Sequence, residues 1–185
     1  MIVTIDQLVG IEECVKSAAH TQGVEPEEIK MTPEKWLAWL HAEHSPIRVM
    51  QLRINMIDIP YYSAMHMVRH TQGVIPFVRS QRPEARNSVL YDRRKAPQDV
   101  PVSYRPIMNP QTLINVSRRR LCSRADETTR LIWEIAKAAI ATDPDLYIKQ
   151  IAKVMVPDCI YRGACHELQS CGHMPHWKGI HNVQS

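Results

Sequence analysis

The chain has 185 residues, of which 44% are hydrophobic and 23% are charged, and its formal net charge is +4. These values are ordinary for a soluble globular protein and fit one domain over residues 1–185. The charge is too small to indicate nucleic-acid binding, and no apolar run approaches the roughly 18 residues of a membrane span. We therefore expect neither a nucleic acid nor a membrane as a partner.

The chain start and the cysteine count bear on location. The segment MIVTIDQLVG lacks the basic region and cleavage site of a signal peptide. An odd count of five cysteines without an export signal makes disulfides unexpected. We expect a cytoplasmic protein, and the compact form suits a phage-encoded protein in a host cytoplasm.

The first 70 residues predict short strands and helices in alternation. Thr32 followed by Pro33 is a good helix start, because a threonine caps and proline suits the first helical position. Partial alternation after Val49 predicts a half-buried strand, which Pro60 stops. The predicted elements are a strand over 1–10, a helix over 11–19, a helix from 33 to about 44, a strand over 49–59 and a helix over 61–70.

The pattern of residues 71–185 predicts an irregular stretch, two helices and a tail. Residues 71–110 are rich in proline and polar residues, and a loop of this length is usually functional or disordered. An apolar period near 3.6 predicts one long helix over 113–141, and a shorter helix follows over 145–154. The tail over 157–185 is expected to be irregular.

Arginines on the long predicted helix form the first candidate site. Arg120, Arg124 and Arg130 are spaced to lie close to one side of it. Guanidinium groups suit bidentate contacts to phosphate. A solvated basic face is the alternative interpretation.

A second candidate site follows the helix that ends near His70. Arg69 and His70 open the irregular stretch, which then supplies Arg79-Ser80-Gln81-Arg82. Guanidiniums, a hydroxyl and an amide suit a phosphate or a nucleobase edge, although a basic surface loop is the alternative. No nucleophile motif or phosphate-cradling glycine loop occurs, so an anionic cofactor is expected to perform the chemistry.

Cysteine and histidine are concentrated in the tail, which holds Cys159, Cys165, Cys171, His166, His173 and His176. The CxxC spacing of structural zinc sites is absent, so we predict no metal. A small metal protein with a zinc-binding tail is the alternative. Cys14 and Cys122 stand alone and are expected to be buried as small apolar residues.

The order of these segments resembles that of the flavin-dependent thymidylate synthases (ThyX). That family has an Arg-His-Arg triplet, a Ser-x-Arg element, two asparagines six residues apart, an arginine-bearing helix, a His-x-x-Pro turn upstream and a cysteine-containing tail. The similar residues here are Arg69-His70-Thr71, Ser80-Gln81-Arg82, Asn109, Asn115, Arg120, Arg124, His44-Ser45-Pro46, Cys165 and Cys171.

The resemblance implies a compact α/β domain of α+β type, with a small sheet packed by long helices, assembling as a homotetramer. It implies FAD, reduced by NADPH, and methylenetetrahydrofolate as one-carbon donor. The implied activity transfers a one-carbon unit to C5 of a pyrimidine deoxynucleotide, converting dUMP to dTMP. The binding sites of that family draw residues from several subunits.

The resemblance also implies roles for individual residues. Arg120 and His66 are expected to be catalytic, because an arginine beside the uracil carbonyls stabilises charge that develops on the ring. Arg69, His70, Asn109, Asn115 and Ser45 are expected to bind FAD. The residues expected to hold the nucleotide are Ser80, Gln81, Arg82 and Arg120.

Several positions depart from the family pattern. Thr71 replaces the second arginine of the triplet, and His66 replaces a glutamine. A hydroxymethyl product or a different pyrimidine nucleotide is therefore an alternative outcome. A nucleotide- or RNA-binding protein that keeps the fold with altered catalysis is the second alternative.

Overall fold

The architecture is a small antiparallel sheet packed by helices, seen in a computed structural model that describes residues 1–79 and 92–177. Its strands are β1 (Ile2–Val9), β2 (Gln51–Pro60), β3 (Val74–Ile75), β4 (Pro101–Tyr104) and β5 (Ile107–Met108). Its helices are α1 (Ile11–Gln22), α2 (Pro33–His41), α3 (Tyr61–Val68), α4 (Pro110–Arg120), α5 (Glu127–Ala141), α6 (Leu146–Val154) and α7 (Asp158–Arg162). The predicted α+β fold class is confirmed.

Strand β2 is the centre of the sheet. It pairs antiparallel with β1 along one edge and with β4 and β5 along the other, while β3 pairs with β5. Leu52, Ile54 and Met56 are fully buried, whereas Arg53 and Ile57 on the other face reach solvent and Asn55 between those two is buried. This two-residue period is the one that predicted the strand, because successive side chains point to opposite faces. Helices α3 and α5 pack against the sheet.

The predicted long helix over 113–141 is wrong, because the chain breaks between α4 and α5. Asp126 caps α5: its Oδ1 accepts from the Thr129 backbone N–H at 2.8 Å and from the Thr129 hydroxyl at 2.7 Å. Arg120 therefore ends one helix and Arg130 belongs to the next. The predicted arginine face along a single helix does not form.

The described parts of the stretch over 71–110, residues 71–79 and 92–110, are less irregular than predicted. They contain β3, β4 and β5, which are two to four residues long and too short to show a period. The inner side chains Val102, Tyr104 and Met108 are buried in the core. These strands extend the sheet beside β2 and lead the chain into α4.

Two buried tryptophans join the helices. The Trp36 indole N–H donates to the Tyr147 carbonyl at 2.9 Å, which ties α2 to α6. The Trp133 indole N–H donates to Ser117 Oγ at 2.9 Å, which ties α5 to α4. A buried indole nitrogen needs such a partner, so these bonds fix the position of α4 in the core.

The described part of the tail covers residues 157–177. It begins with α7, and its later segments are joined by hydrogen bonds of 2.8 Å from Cys165 N to the Pro175 carbonyl and from Trp177 N to the Cys165 carbonyl. Across the described residues, none of the helices is long and apolar enough to cross a membrane.

Candidate functional site

Three helix ends meet at one place. The C-terminal ends of α3 and α4 and the N-terminal end of α5 bring together His66, His70, Arg120, Asp126 and Thr129, which we call the Arg120 cluster. Predicted residues from two distant parts of the sequence are therefore neighbours. The cluster exists because α4 stops at Arg120 and the Asp126 cap starts α5 in a new direction.

Arg120 holds the end of α3 through two hydrogen bonds. Its Nε donates to His70 Nε2 at 2.8 Å, and its Nη2 donates to the His66 carbonyl at 2.5 Å. A guanidinium has only donors, so Nε2 of His70 must accept and its ring proton lies on Nδ1. This geometry orients the guanidinium and leaves its remaining N–H groups for a ligand.

His70 is a neutral donor in this arrangement. Burial, followed by the positive charges of Arg120 and Arg119, lowers the pKa of His70 to about 4. At neutral pH the ring is uncharged and offers Nδ1–H. Such a group donates to a carbonyl or phosphate without adding a second buried charge.

His66 belongs to a short polar chain. Its Nδ1 lies 3.1 Å from Thr129 Oγ1, whose hydroxyl proton is donated to Asp126. We therefore assign the His66 ring proton to Nδ1, since a hydroxyl has one proton to donate. Although desolvation opposes ionisation, the two Thr129 hydrogen bonds and the nearby His66 and Arg120 keep the pKa of Asp126 below its usual range.

Arg69 adds positive charge beside the cluster. Its side chain is exposed, and after burial its charge is the main influence that lowers the pKa of Arg120. Two guanidiniums close enough to repel one another create a positive potential that an anion would relieve. Arg69 and Arg120 together make this site electrostatically positive.

The predicted asparagines lie away from Arg120. Asn109 is the N-cap of α4: its Oδ1 accepts from the Thr112 backbone N–H at 2.9 Å and from the Thr112 hydroxyl at 3.0 Å. Asn115 is exposed and its Oδ1 accepts from Arg118 Nη1 at 3.3 Å. By the helical rise, Asn109 and Arg120 are roughly 16 Å apart along the axis.

Ser45 also lies outside the cluster, and part of the predicted site falls on undescribed residues. Ser45 is exposed at the start of a short 3-10 helix, Ser45–Arg48, that packs against α4. Ser80, Gln81 and Arg82 lie outside the described residues. The structure therefore unites four of the predicted residues and separates three.

A cavity of about 520 Å³ lies beside α3, where Arg79, Arg93 and Arg94 line it with Tyr61 and Met65. Tyr61, Met65 and Arg69 follow one another at four-residue intervals, so they share one side of the helix. The cavity therefore opens along the side of α3 that carries Arg69 one turn later. The sequence signal for it was the basic run Arg93-Arg94-Lys95.

A second cluster on α4 was not predicted. Glu43 accepts hydrogen bonds from Gln111 and Arg118, and the Arg118 guanidinium lies 3.6 Å from the centre of the Tyr161 ring. Glu43 has a positive φ of 50°, which is uncommon for a residue other than glycine. The sequence gives no local signal for this cluster, because its members are far apart in the chain, from Glu43 to Tyr161.

Two cysteines, Cys14 and Cys122, were predicted to be buried. Cys14 is buried as predicted, but Cys122 is partly exposed, because it lies in the turn between α4 and α5. Within residues 1–79 and 92–177, no group of three or more His, Cys, Asp or Glu side chains is arranged to hold a metal ion.

The fold is that of the flavin-dependent thymidylate synthases. The crystal structure of ThyX from Helicobacter pylori complexed with FAD and dUMP superimposes with a TM-score of 0.67, covering 84% of this chain and 100% of that chain at 9% identity. A UMP/dUMP methylase, PolB from Streptomyces cacaoi bound with 5-Br dUMP, matches with a TM-score of 0.57, covering 84% and 96% at 11% identity.

Sequence comparison adds nothing to this structural likeness. No protein-family model and no curated protein matches the chain. At 9% to 11% identity the structural neighbours show a shared fold, and the activity must be argued from the residues.

Proposed function

We propose that this protein is an FAD-dependent enzyme that transfers a one-carbon unit from methylenetetrahydrofolate to C5 of a pyrimidine deoxynucleotide, with dUMP as substrate. The observation that carries the proposal is Arg120, held by His70 and the His66 carbonyl at the junction of three helices. Support comes from the fold, because two solved neighbours contain dUMP or its bromo derivative.

Arg120 suits recognition of the pyrimidine ring. A guanidinium has five N–H donors, and the bonds to His70 and His66 occupy two of them. The rest can donate to the uracil carbonyls, where negative charge develops as C5 becomes nucleophilic. Because the bonds to α3 fix the group in advance, little reorganisation accompanies the reaction.

The arginine-lined cavity suits the nucleotide phosphate. Arg79 and Arg93 line it, and Ser80, Gln81 and Arg82 follow Arg79 directly in sequence. We assign these residues to the phosphate, because guanidiniums and hydroxyls bind its oxygens in charge-assisted hydrogen bonds. The pyrimidine would then extend along α3 toward Arg120.

The residues present also fit FAD. Arg69 and the neutral His70 are donors beside Arg120, and FAD presents pyrophosphate oxygens and ring carbonyls. When bound and reduced by NADPH, such a flavin would supply the hydride needed to turn the transferred unit into a methyl group. Arg69 and His70 would hold it, with the Asn109 amide N–H₂, Asn115 and Ser45.

A homotetramer would explain how residues that lie apart within one chain can share one FAD site. Within one chain, Asn109 and Asn115 lie on α4 away from Arg120, and Ser45 begins the 3-10 helix that packs against α4. In a symmetric assembly, the α4 surface of one subunit can complete the Arg120 cluster of another. We propose this arrangement together with a cytoplasmic location and a phage origin.

The product is either thymidylate or its hydroxymethyl analogue. His66 stands at a position where the family that this chain resembles has a glutamine. Its ring is linked to Asp126 through the Thr129 hydroxyl. We assign His66 to proton movement at its Nε2, since Nδ1 is occupied by Thr129. Product analysis by mass spectrometry distinguishes a methyl from a hydroxymethyl group by one oxygen atom.

A nucleotide- or RNA-binding protein with altered catalysis is the second candidate. It is favoured by Asn109, whose Oδ1 is committed to capping α4. Retained binding of dUMP or RNA without flavin binding would support it.

The test of the proposal is the visible spectrum of the purified protein with FAD, titrated with dUMP. We expect a bound-flavin band that shifts on addition of dUMP, and Arg120→Ala should weaken dUMP binding about 10- to 150-fold, the scale of 1.5–3 kcal/mol. Arg119→Ala is the matched control, because Arg119 is exposed and pairs with Glu167. Equal effects of the two substitutions, or no flavin band, would contradict the proposal.

A further inference from the structure

Three cysteines distant in sequence gather at one place. Cys122 in the α4–α5 turn, Cys159 in α7 and Cys171 in the tail all line a cavity of about 480 Å³. The same three line a smaller cavity of about 10 Å³, to which Cys165 also contributes. The fold, rather than local sequence, therefore brings these thiols together.

Core packing does not account for this group. Cys14 is fully buried, and burial raises its pKa to about 11, as expected of an inert structural thiol. Cys171 is instead exposed, and Cys122 and Cys159 are partly exposed. Thiols that fill no core and share a cavity accessible to solvent are candidates for chemistry.

The surroundings differ between Cys171 and Cys159. The Ser123 hydroxyl, followed by the His173 backbone N–H and the charge of Arg124, lowers the pKa of Cys171. Burial, followed by the nearby Cys122, Cys165 and Cys171, raises the pKa of Cys159. Cys171 thus forms a thiolate more readily, and its charge acts on Cys159 within the shared cavity.

We propose that Cys171 and Cys159 form a redox-sensitive thiol site, in which hydrogen peroxide oxidises Cys171 and Cys159 resolves the product to a disulfide. The Cys171 thiolate attacks peroxide, so an S–O bond forms, the O–O bond breaks and hydroxide leaves with the electron pair. The Cys159 thiolate then attacks the sulfenic sulfur, forming the S–S bond and releasing a second hydroxide. With both thiol protons, two waters are released as the sulfurs are oxidised and the peroxide is reduced.

The loop closed by this disulfide contacts Arg119 and Arg124, which flank Arg120 in the sequence. It contains Glu167, whose carboxylate accepts from Arg119 at 2.9 Å, and Gln169, whose Oε1 accepts from Arg124 at 2.7 Å. Oxidation would therefore restrain a segment that contacts the neighbours of Arg120. The thiol site itself stands independently of the proposed activity.

The test uses the full chain and hydrogen peroxide as the probe. Alkylation followed by non-reducing peptide mass spectrometry should show Cys171 as the fastest-reacting thiol in the reduced protein. After treatment with one equivalent of peroxide it should show a Cys159–Cys171 cross-link within one chain. Cys14 is the internal control and should remain reduced throughout.

Three variants separate the steps. Cys171→Ser should abolish the cross-link, and Cys159→Ser should leave a sulfenic acid at Cys171 that dimedone traps. Ser123→Ala should slow alkylation of Cys171 severalfold at neutral pH, which a merely structural hydroxyl would not do.

Three results would overturn the proposal. The first is alkylation of Cys171 no faster than that of Cys14, and the second is a disulfide formed only between chains or with Cys122. The third is a set of thiols that reacts only after a zinc chelator is added, because the cluster would then be a metal site.

Discussion

Arg118 and Arg120 lie two residues apart on α4 and have opposite roles. A separation of two residues turns a helix by about 200°, so their side chains leave on opposite sides. Arg118 pairs with Glu43 and lies over the Tyr161 ring, so a carboxylate balances its charge. Arg120 donates to His70 and the His66 carbonyl, which are neutral acceptors, so its charge is offset only by the nearby Asp126, with which it forms no ion pair.

The difference shows how to separate a structural from a functional arginine. Both side chains are partly buried and both make several hydrogen bonds. What distinguishes them is charge balance, because Arg118 pairs directly with a carboxylate, whereas the hydrogen-bond partners of Arg120 are neutral. The Asp126 carboxylate acts on Arg120 without forming an ion pair, and the charge of Arg69 opposes it, so an anion bound beside Arg120 would be stabilised. The comparison predicts opposite consequences for stability and for binding.

The largest effect on stability should follow Arg118→Met. The substitution keeps much of the side-chain volume but leaves the Glu43 carboxylate without its cation, in a residue that already has a positive φ. We expect a loss of about 2–3 kcal/mol in the free energy of unfolding, below the fully buried limit because both groups reach solvent. Urea denaturation measures it.

Arg120→Met is the matched control for that measurement. It removes a cation that has no carboxylate partner among its hydrogen bonds, so we expect a change within about 1 kcal/mol. If the two substitutions cost the same, charge balance does not distinguish these arginines.

A smaller effect should appear in the pH dependence of stability. Folding lowers the pKa of His70 from 6.5 to about 4, so between these values the unfolded state binds more protons. The stabilisation is fully present above pH 6.5 and is lost as the pH falls toward 4. The full shift corresponds to about 3 kcal/mol, and we expect about half of it because the ring is partly exposed.

His70→Gln tests that dependence. Glutamine can accept from Arg120 but does not titrate, so the difference in unfolding free energy between pH 7.5 and 5, two values chosen to straddle the window, should shrink by about 1–2 kcal/mol. The nitrogen NMR shifts of the wild-type ring should show Nε2 without a proton at neutral pH. A protonated Nε2 would contradict the assigned hydrogen bond.

Much of the fold could be predicted, because local signals determine it. The alternation through Leu52, Ile54 and Met56 predicts β2, and Thr32-Pro33 predicts the start of α2. The break after α4 was missed because Leu121 and Ala125 continue the apolar period across it. Asp126, an N-cap residue followed directly by the acidic Glu127, is the capping signal that could have revealed the break.

The candidate site was only partly predictable. The resemblance grouped His66, Arg69, His70 and Arg120, and the structure brings these together. It could not reveal that Glu43 pairs with Arg118, because a hydrogen-bond partner tens of residues away leaves no periodic trace. The role of Asn109 is different, since an asparagine followed by Pro110 is a local capping signal that was missed. Long-range partner choice is therefore the part that required three dimensions.

The hydroxyl of Thr129 should contribute about 1 kcal/mol. Thr129→Val keeps the shape of a fully buried side chain but removes the donor to Asp126 and the acceptor for His66, while the backbone N–H still meets the Asp126 cap. Thr128→Val is the control, since Thr128 immediately precedes Thr129 and does not belong to the hydrogen-bond chain from His66 to Asp126. A loss of stability in both variants alike would assign the effect to helix propensity instead.

The smallest effect belongs to Arg119, the residue between the two compared here. Its partner Glu167 lies 2.9 Å away, but the Arg119 side chain is 61% exposed, so Arg119→Ala should cost at most about 0.5 kcal/mol. The substitution should nevertheless be felt in the Arg120 cluster, because the charge of Arg119 helps to lower the pKa of His70. NMR titration should therefore show a higher His70 pKa in the variant, with a difference that shrinks as salt screens the exposed charge. An unchanged His70 pKa would mean that burial and Arg120 alone keep the ring neutral. Arg119 would then be a solvent-exposed residue that is not electrostatically coupled to the Arg120 cluster.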